Sequence, residues 1–219
     1  MSHQRHTFIR ALKFDFLTPF YDSVVSWALP EMTIKRHLVK QAGIQNGHLV
    51  LDLGCGTATL TVLIKQLHPE AVVYGLDGDH KVLKLAQSKI SSVHLDIQLV
   101  NGLVTKIQFP NNYFDEVLSS LVFHHLSLEA KELALQEAFR VIKPGGSLHI
   151  ADWGKPKNGR MRAAFLLVQF LDGFKTTTDN VKGILPELMR KTGFEDIQTT
   201  ADYTTLLGTL SLYSGRKPK

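Results

Sequence analysis

Apolar positions along the chain fall into short continuous runs separated by stretches of helical spacing. Leu49, Val50, Leu51 and Leu53 form one run, Ala71 to Leu76 a second, and His94 to Val100 a third whose apolar residues partly alternate. Phe114 to Ser119 and Ser147 to Ala151 are the fourth and fifth. Runs of this length read as strands buried on both faces. Thr59 to Leu67, His80 to Ser88 and Leu128 to Val141 read as helices, with a further basic helix near Thr33 to Gln41. Strands alternating with helices predict an α/β domain with a doubly wound, mostly parallel sheet and helices on both faces. In such a sheet, ligands bind beyond the carboxyl ends of the strands.

The chemistry sits at those ends. The run LVLDLGCGTA, residues 49 to 58, is a strand ending in an acid, followed by two glycines one residue apart. Gly54 and Gly56 allow a tight turn and close approach of the backbone to a ligand. Asp52 offers an acceptor-only carboxylate that suits a ligand ammonium group. Cys55, between the glycines, reads as a small turn residue. A dinucleotide fingerprint G-x-G-x-x-G would want a third glycine where Thr59 stands, so the turn fits a ligand with a cationic amino acid end and no phosphates. The second strand run leads into Asp77-Gly78-Asp79. Asp77 lies 21 positions past Gly56, where an acid in these folds meets a ribose. Asp79 suits the N-cap of the helix that follows.

Composition narrows the picture. The chain has 219 residues, enough for one well-buried domain with appendages. A hydrophobic fraction of 44% with 21% charged residues is ordinary for a globular protein. No apolar run reaches the roughly 18 residues of a spanning helix, and the start MSHQRHTFIR lacks a signal-peptide core, so a cytoplasmic protein is expected. A single cysteine excludes a disulfide framework and a multi-cysteine zinc site. The net charge of +5 is dispersed, which makes nucleic acid an unlikely partner.

Two more stretches complete a pattern. PNNYFDEVLSS, residues 110 to 120, opens a strand with Phe114-Asp115, and FRVIKPGGSLHI, residues 139 to 150, reads as a helix closed by a Pro144-Gly145-Gly146 turn. Each has a local reading as turn chemistry. Their order after the glycine turn and Asp77 resembles the class I S-adenosylmethionine-dependent methyltransferases, in particular the ubiquinone and menaquinone branch, firmly over about residues 48 to 154. The resemblance implies a Rossmann-like seven-stranded sheet, S-adenosylmethionine as cofactor, and methyl transfer to carbon or oxygen of a small aromatic or lipophilic acceptor. It implies cofactor contacts from Asp52, Gly54, Cys55, Gly56, Asp77, Gly78, Asn101, Gly102, Leu103, Ser120 and Leu121. Where the family commonly has Gly-Asp to receive adenine, this chain has Gly102-Leu103. Asn101 could accept through its amide oxygen, or the Leu103 N–H could hold the ring, or Asn101 is a turn residue alone.

The acceptor side is less regular. The loop Ser120 to His125 borders the methyl position in the family's arrangement, and His124 or His125 could take a proton from an acceptor hydroxyl. The alternative is that one ring packs in the loop and the other faces water. No metal is expected, since of the clustered acids of magnesium-dependent relatives only Asp152 is available. The resemblance also implies an N-terminal helical lid over residues 1–45, with Tyr21 near the cofactor, ahead of the methyltransferase domain at 46–219. Within that domain, 156–180 reads as a helical insertion on the substrate side, apolar enough for a lipophilic acceptor, a membrane surface or a second copy in a homodimer.

Overall fold

The computed structural model describes residues 30–156, 179, 182–205 and 208–219. Tyr21 and nearly all of the 156–180 segment lie outside the described residues. In chain order the elements are α1 (Glu31–Gln41), β1 (Leu49–Leu53), α2 (Thr59–Leu67), β2 (Val72–Asp77), α3 (His80–Ser92), β3 (Ile97–Asn101) and β4 (Phe114–Ser120). A 3-10 turn (Phe123–His125) leads to α4 (Leu128–Val141), β5 (Ile142–Trp153), α5 (Leu185–Thr192), β6 (Glu195–Thr205) and β7 (Gly208–Arg216). The seven strands run in the order β3-β2-β1-β4-β5-β7-β6. The first five are parallel, and β7 is antiparallel to both its neighbours.

Side-chain alternation along each strand divides the core between the two faces. Leu51, Leu53, Phe114, Val117, Leu148 and Ile150 pack with Ala134, Leu135 and Ala138 of α4 and with Leu185, Leu188 and Met189 of α5. Val50, Val73, Leu118 and Ala151 face the other way, against Ile34, Leu38 and Val39 of α1 and Leu60, Leu63 and Ile64 of α2. Helix α1 therefore belongs to the layered domain, although the sequence boundary at residue 45 groups it with the lid.

Helices α2 and α4 span the residues the hydrophobic spacing predicts, whereas α3 continues to Ser92 and β3 starts only at Ile97, after His94 takes a left-handed φ of 52°. The larger correction concerns Pro144-Gly145-Gly146. No turn separates α4 from the fifth strand: β5 begins at Ile142, directly after the helix, and the proline and glycines form a bulge within it. Phe114 pairs with Ile142 and Glu116 with Ser147, so β5 carries the extra residues. The bulge has a partner in the Phe114-Asp115 stretch. Lys143 Nζ lies 2.8 Å from both carboxylate oxygens of Asp115, and the Leu49 N–H donates to the same carboxylate at 2.8 Å. Burial alone would raise Asp115, but these donors hold it below the ordinary carboxylate range. A Cβ on Gly146 would stand 2.4 Å from the Asp115 carbonyl oxygen, which excludes any side chain there. These two motifs thus join β1, β4 and β5 at the end of the sheet opposite the glycine turn.

Candidate functional site

The strand order reverses between β1 and β4, where chain connections leave in opposite directions and open a crevice at the carboxyl ends. The loops leaving these two strands touch. Gly54 has φ +77°, and a Cβ on it would lie 2.5 Å from Val122 Cγ2. Gly56 also has positive φ, +53°, but a Cβ there would meet nothing within 4 Å. The turn is held from below by the Gly54 and Cys55 N–H groups, which donate to the Leu76 carbonyl at 2.8 and 2.9 Å. Ala58 and Leu121, on the two loops, both take φ 60°, a left-handed conformation that costs an L-residue about 1 kcal/mol.

Asp77 is the hub of the neighbouring strand end. Its Oδ2 accepts from the Gly56 N–H and its Oδ1 from the Asp79 N–H, both at 2.9 Å. Its backbone carbonyl accepts from Asn101 Nδ2 at 3.1 Å and from the Gly102 N–H at 3.0 Å. Because the Asn101 amide nitrogen is committed to Asp77, its oxygen is the group turned outward. Gly78 lies in the bend between Asp77 and Asp79, which caps α3 by accepting from the Lys81 N–H. Leu103 closes a small turn, accepting from the Lys106 N–H at 3.0 Å.

Two predicted residues sit deeper than expected. The Cys55 side chain packs under the turn, so that a Cβ on Gly75 would be 3.0 Å from its sulfur, and burial pushes its thiol far up, which keeps it protonated. Asp52 is 1% exposed and accepts from Thr61 Oγ1 at 2.6 Å. The N-cap of α2 is Ala58, which has no side-chain acceptor; Asp52 takes over from the strand, meeting the hydroxyl and backbone N–H of Thr61 in the first turn. Its role in the structure is thus to cap a helix across the turn, where the sequence suggested an ammonium partner at the mouth of the site.

Burial raises the Asp52 pKa from 3.8 to about 6, with Thr61 and Lys35 opposing the rise. The sign follows from linkage: the folded state holds the proton more tightly, so the contribution favours folding below about pH 4 and is lost as pH rises through about 6. Asp52→Asn is expected to unfold at higher denaturant than the parent at pH 8, by about 1 to 3 kcal/mol, with the gap closing below pH 4. Equilibrium urea unfolding at the two pH values checks this. A variant less stable at pH 8 would contradict it.

The histidines occupy the turn after β4. His124 is buried, and its Nδ1 lies 2.9 Å from Asp152 Oδ1 at the carboxyl end of β5, while its N–H donates to Asp152 Oδ2 at 3.3 Å. An ionised carboxylate only accepts, so Nδ1 is the donor and the basic lone pair of the neutral ring is on Nε2. The His125 ring centroid is 3.8 Å from that of His124. Burial, and then the neighbouring His124, push His125 well below the usual histidine range, so it is neutral at physiological pH. Asp152 was visible in the sequence only as an isolated acid. Its link to His124 depends on the register of two parallel strands, Ser120 opposite Ala151, and the useful signal is an acid at the end of the strand beside the histidine loop.

Among the described residues no group of three or more His, Cys, Asp or Glu converges as a metal site, and no helix is long and apolar enough to cross a membrane. A concavity of about 510 Å³ between α1 and β6, lined by Thr33, Arg36, His37, Lys40, Gln41 and Tyr203, contains none of the motif residues.

The family described as "Methyltransferase domain" matches residues 51–150, from β1 to β5. The demethylmenaquinone methyltransferase of Listeria monocytogenes is 32% identical over 148 residues, 65% of this chain and 61% of that protein. The ubiquinone/menaquinone biosynthesis C-methyltransferase of Shewanella piezotolerans is 27% identical over 94% of this chain and 87% of its own length. Among solved structures, the S-adenosylmethionine-dependent methyltransferase SibL in its apo form superposes with a TM-score of 0.74 at 24% identity, over 91% of this chain and 58% of that one, which speaks to the fold. The similarity in sequence runs through the glycine turn and Asp77, and the fold sets both at the switch point of the sheet. Over residues 51–150 the chain is similar to the methyltransferase domain family, and it spans about three fifths of the length of the Listeria enzyme it matches.

Proposed function

We propose that the protein transfers the methyl group of S-adenosylmethionine to a carbon or oxygen of a small aromatic or lipophilic acceptor bearing an acidic hydroxyl, of the hydroquinone kind. The observation that carries this reading is the Asp77 carboxylate, fixed by the Gly56 and Asp79 N–H groups beside a glycine turn. Each of its oxygens has spent one lone pair, and each retains another for a ribose hydroxyl. The backbone at Gly56 opens to space that a Cβ would otherwise take. The outward oxygen of Asn101 suits the adenine amino group, beside Gly102 and Leu103. Ser120 and Leu121 line the crevice from the β4 side. The proposal extends to Tyr21 as a further contact and to a cytoplasmic setting. The names of the relatives, demethylmenaquinone and ubiquinone/menaquinone methyltransferases, support the acceptor class.

When bound, S-adenosylmethionine supplies a methyl group on a positively charged sulfur. The chain's own work is to align the acceptor with that methyl, exclude water and remove a proton. His124 Nε2 takes the proton of the acceptor hydroxyl, and Asp152 stabilises the resulting imidazolium through Nδ1. The electron pair left on oxygen, or on the conjugated ring carbon, forms the bond to the methyl carbon as the carbon–sulfur bond breaks, leaving S-adenosylhomocysteine. His125, held neutral, packs against the base.

The test is formation of S-adenosylhomocysteine across a panel of reduced benzo- and naphthoquinones. His124→Gln is expected to lower kcat by about 10² to 10³-fold while leaving cofactor affinity unchanged. Parent-like turnover in that variant would remove the base assignment. Tight cofactor binding with no product across the panel would favour a non-catalytic binding protein.

A further inference from the structure

Helix α1 buries Ile34, Leu38 and Val39 against the sheet and turns Thr33, Arg36, His37 and Lys40 outward as a basic stripe at helical spacing. With Gln41 and Tyr203, this stripe lines the concavity of about 510 Å³ beside β6. Hydrogen bonds fix its walls. His37 Nδ1 lies 2.7 Å from the Tyr203 hydroxyl, and Gln41 Oε1 accepts from Thr200 Oγ1 at 2.6 Å, which ties the helix to the edge strand. The two cations have no such tie. Arg36 and Lys40 are exposed, one turn apart, and neither has an acid partner among the described residues. The acids nearby are engaged elsewhere: Glu31 pairs with Lys35, and Asp202 sits on the opposite face of β6, where it accepts from Ser211 Oγ at 2.6 Å.

The groove lies toward the crevice end of the fold. Tyr203 pairs with Leu210, which pairs with Trp153 at the carboxyl end of β5. Gln41, at the last turn of α1, instead donates to the Tyr213 carbonyl, lower in the sheet. The first turn of α1 therefore points to the crevice end, and Met32 in that turn is 44% exposed. Cations with an apolar side chain beside them match a bilayer surface, where phosphates meet the ammonium and guanidinium groups and the apolar group enters between the heads. A nucleic acid takes a longer track of cations and has no use for Met32. We propose that the groove between α1 and β6 docks the protein on an anionic lipid surface, with Arg36 and Lys40 binding headgroup phosphates and Met32 inserting beside them. The lipophilic acceptor of the proposed methyl transfer would be reached from such a surface. Docking itself needs neither acceptor nor cofactor, so it stands or fails apart from the reaction.

The experiment is sedimentation of the purified protein with vesicles of mixed phosphatidylglycerol and phosphatidylcholine, beside vesicles of phosphatidylcholine alone. Binding is expected to the anionic vesicles only, weakening as salt is raised. Arg36→Gln combined with Lys40→Gln is expected to lower the affinity about 30-fold, since each cation at such a surface contributes about fivefold. Met32→Ser is expected to lower it about tenfold. Arg190→Gln combined with Lys191→Gln removes the same charge from exposed positions of α5, on the other face of the sheet, and is expected to change the affinity by about twofold or less. Thermal midpoints at the parent value show that the variants, all at exposed positions, are folded. An equal loss in the α5 variant would show that net charge alone is read, and undiminished binding in the α1 variant would place the contact elsewhere; either overturns the proposal. So does an absence of vesicle binding, including the case in which Arg36 and Lys40 capture a single-stranded oligonucleotide instead.

Discussion

Gly54→Ala is expected to destabilise the fold by about 2 to 4 kcal/mol and to abolish measurable cofactor binding. Two costs add at this position. The left-handed φ of +77° is strained for any residue with a Cβ, by about 1 kcal/mol. The new methyl would also lie 2.5 Å from Val122 Cγ2 and 2.9 Å from Cγ1, an overlap that typically costs about 1 to 3 kcal/mol. Relief by movement would open the contact between the loops after β1 and β4, which defines the crevice. Urea unfolding separates the two costs. In the double variant with Val122→Ala the steric part is expected to return and the backbone part to persist, giving a coupling of at least about 1 kcal/mol. Strict additivity would show that the two loops do not pack as described.

Asp77→Ala is expected to weaken binding of S-adenosylhomocysteine by about 2 to 4 kcal/mol, roughly 30 to 1,000-fold, with a smaller effect on stability. The variant loses both ribose acceptors at once. It also releases the Gly56 and Asp79 N–H groups, which the half-buried loops can return to water. Asp77→Asn offers little rescue, because an amide presents an N–H₂ to one of two fixed backbone donors. Calorimetric titration measures the effect, and an affinity within threefold of the parent would remove the ribose assignment.

Much of this site is legible in the sequence because the features concerned are local. The strand run ending at Leu53, the glycines at 54 and 56, and an acid at 77 are set by short-range turn chemistry and by strands buried on both faces. Helices α2 and α4 have clear spacing and clear ends, with Ser127 capping the second. What escapes is whatever depends on register or depth. Nothing local marks the bulge at Pro144 to Gly146, since the same residues favour a turn; only pairing with Phe114 and the Asp115–Lys143 contact make it part of β5. Asp52 has the residue type of a ligand partner, yet an alanine at the N-cap of α2 leaves a first-turn donor that Asp52 fills from the strand. The His124–Asp152 pair joins residues 28 positions apart, and Lys131 lies one helical turn into α4 with nothing in its surroundings in sequence to show that it is buried.

The central claim is that the crevice at the carboxyl ends of β1 and β4, with Asp77 of β2 on its flank, holds a sulfonium nucleoside by its sugar. Isothermal titration of the purified protein with S-adenosylmethionine, S-adenosylhomocysteine and NAD tests it most directly. The account predicts saturable one-to-one binding of the first two and no heat with NAD, whose pyrophosphate finds Thr59 where a glycine would be needed. Absence of heat with both sulfur nucleosides, or equal binding of NAD, would contradict it.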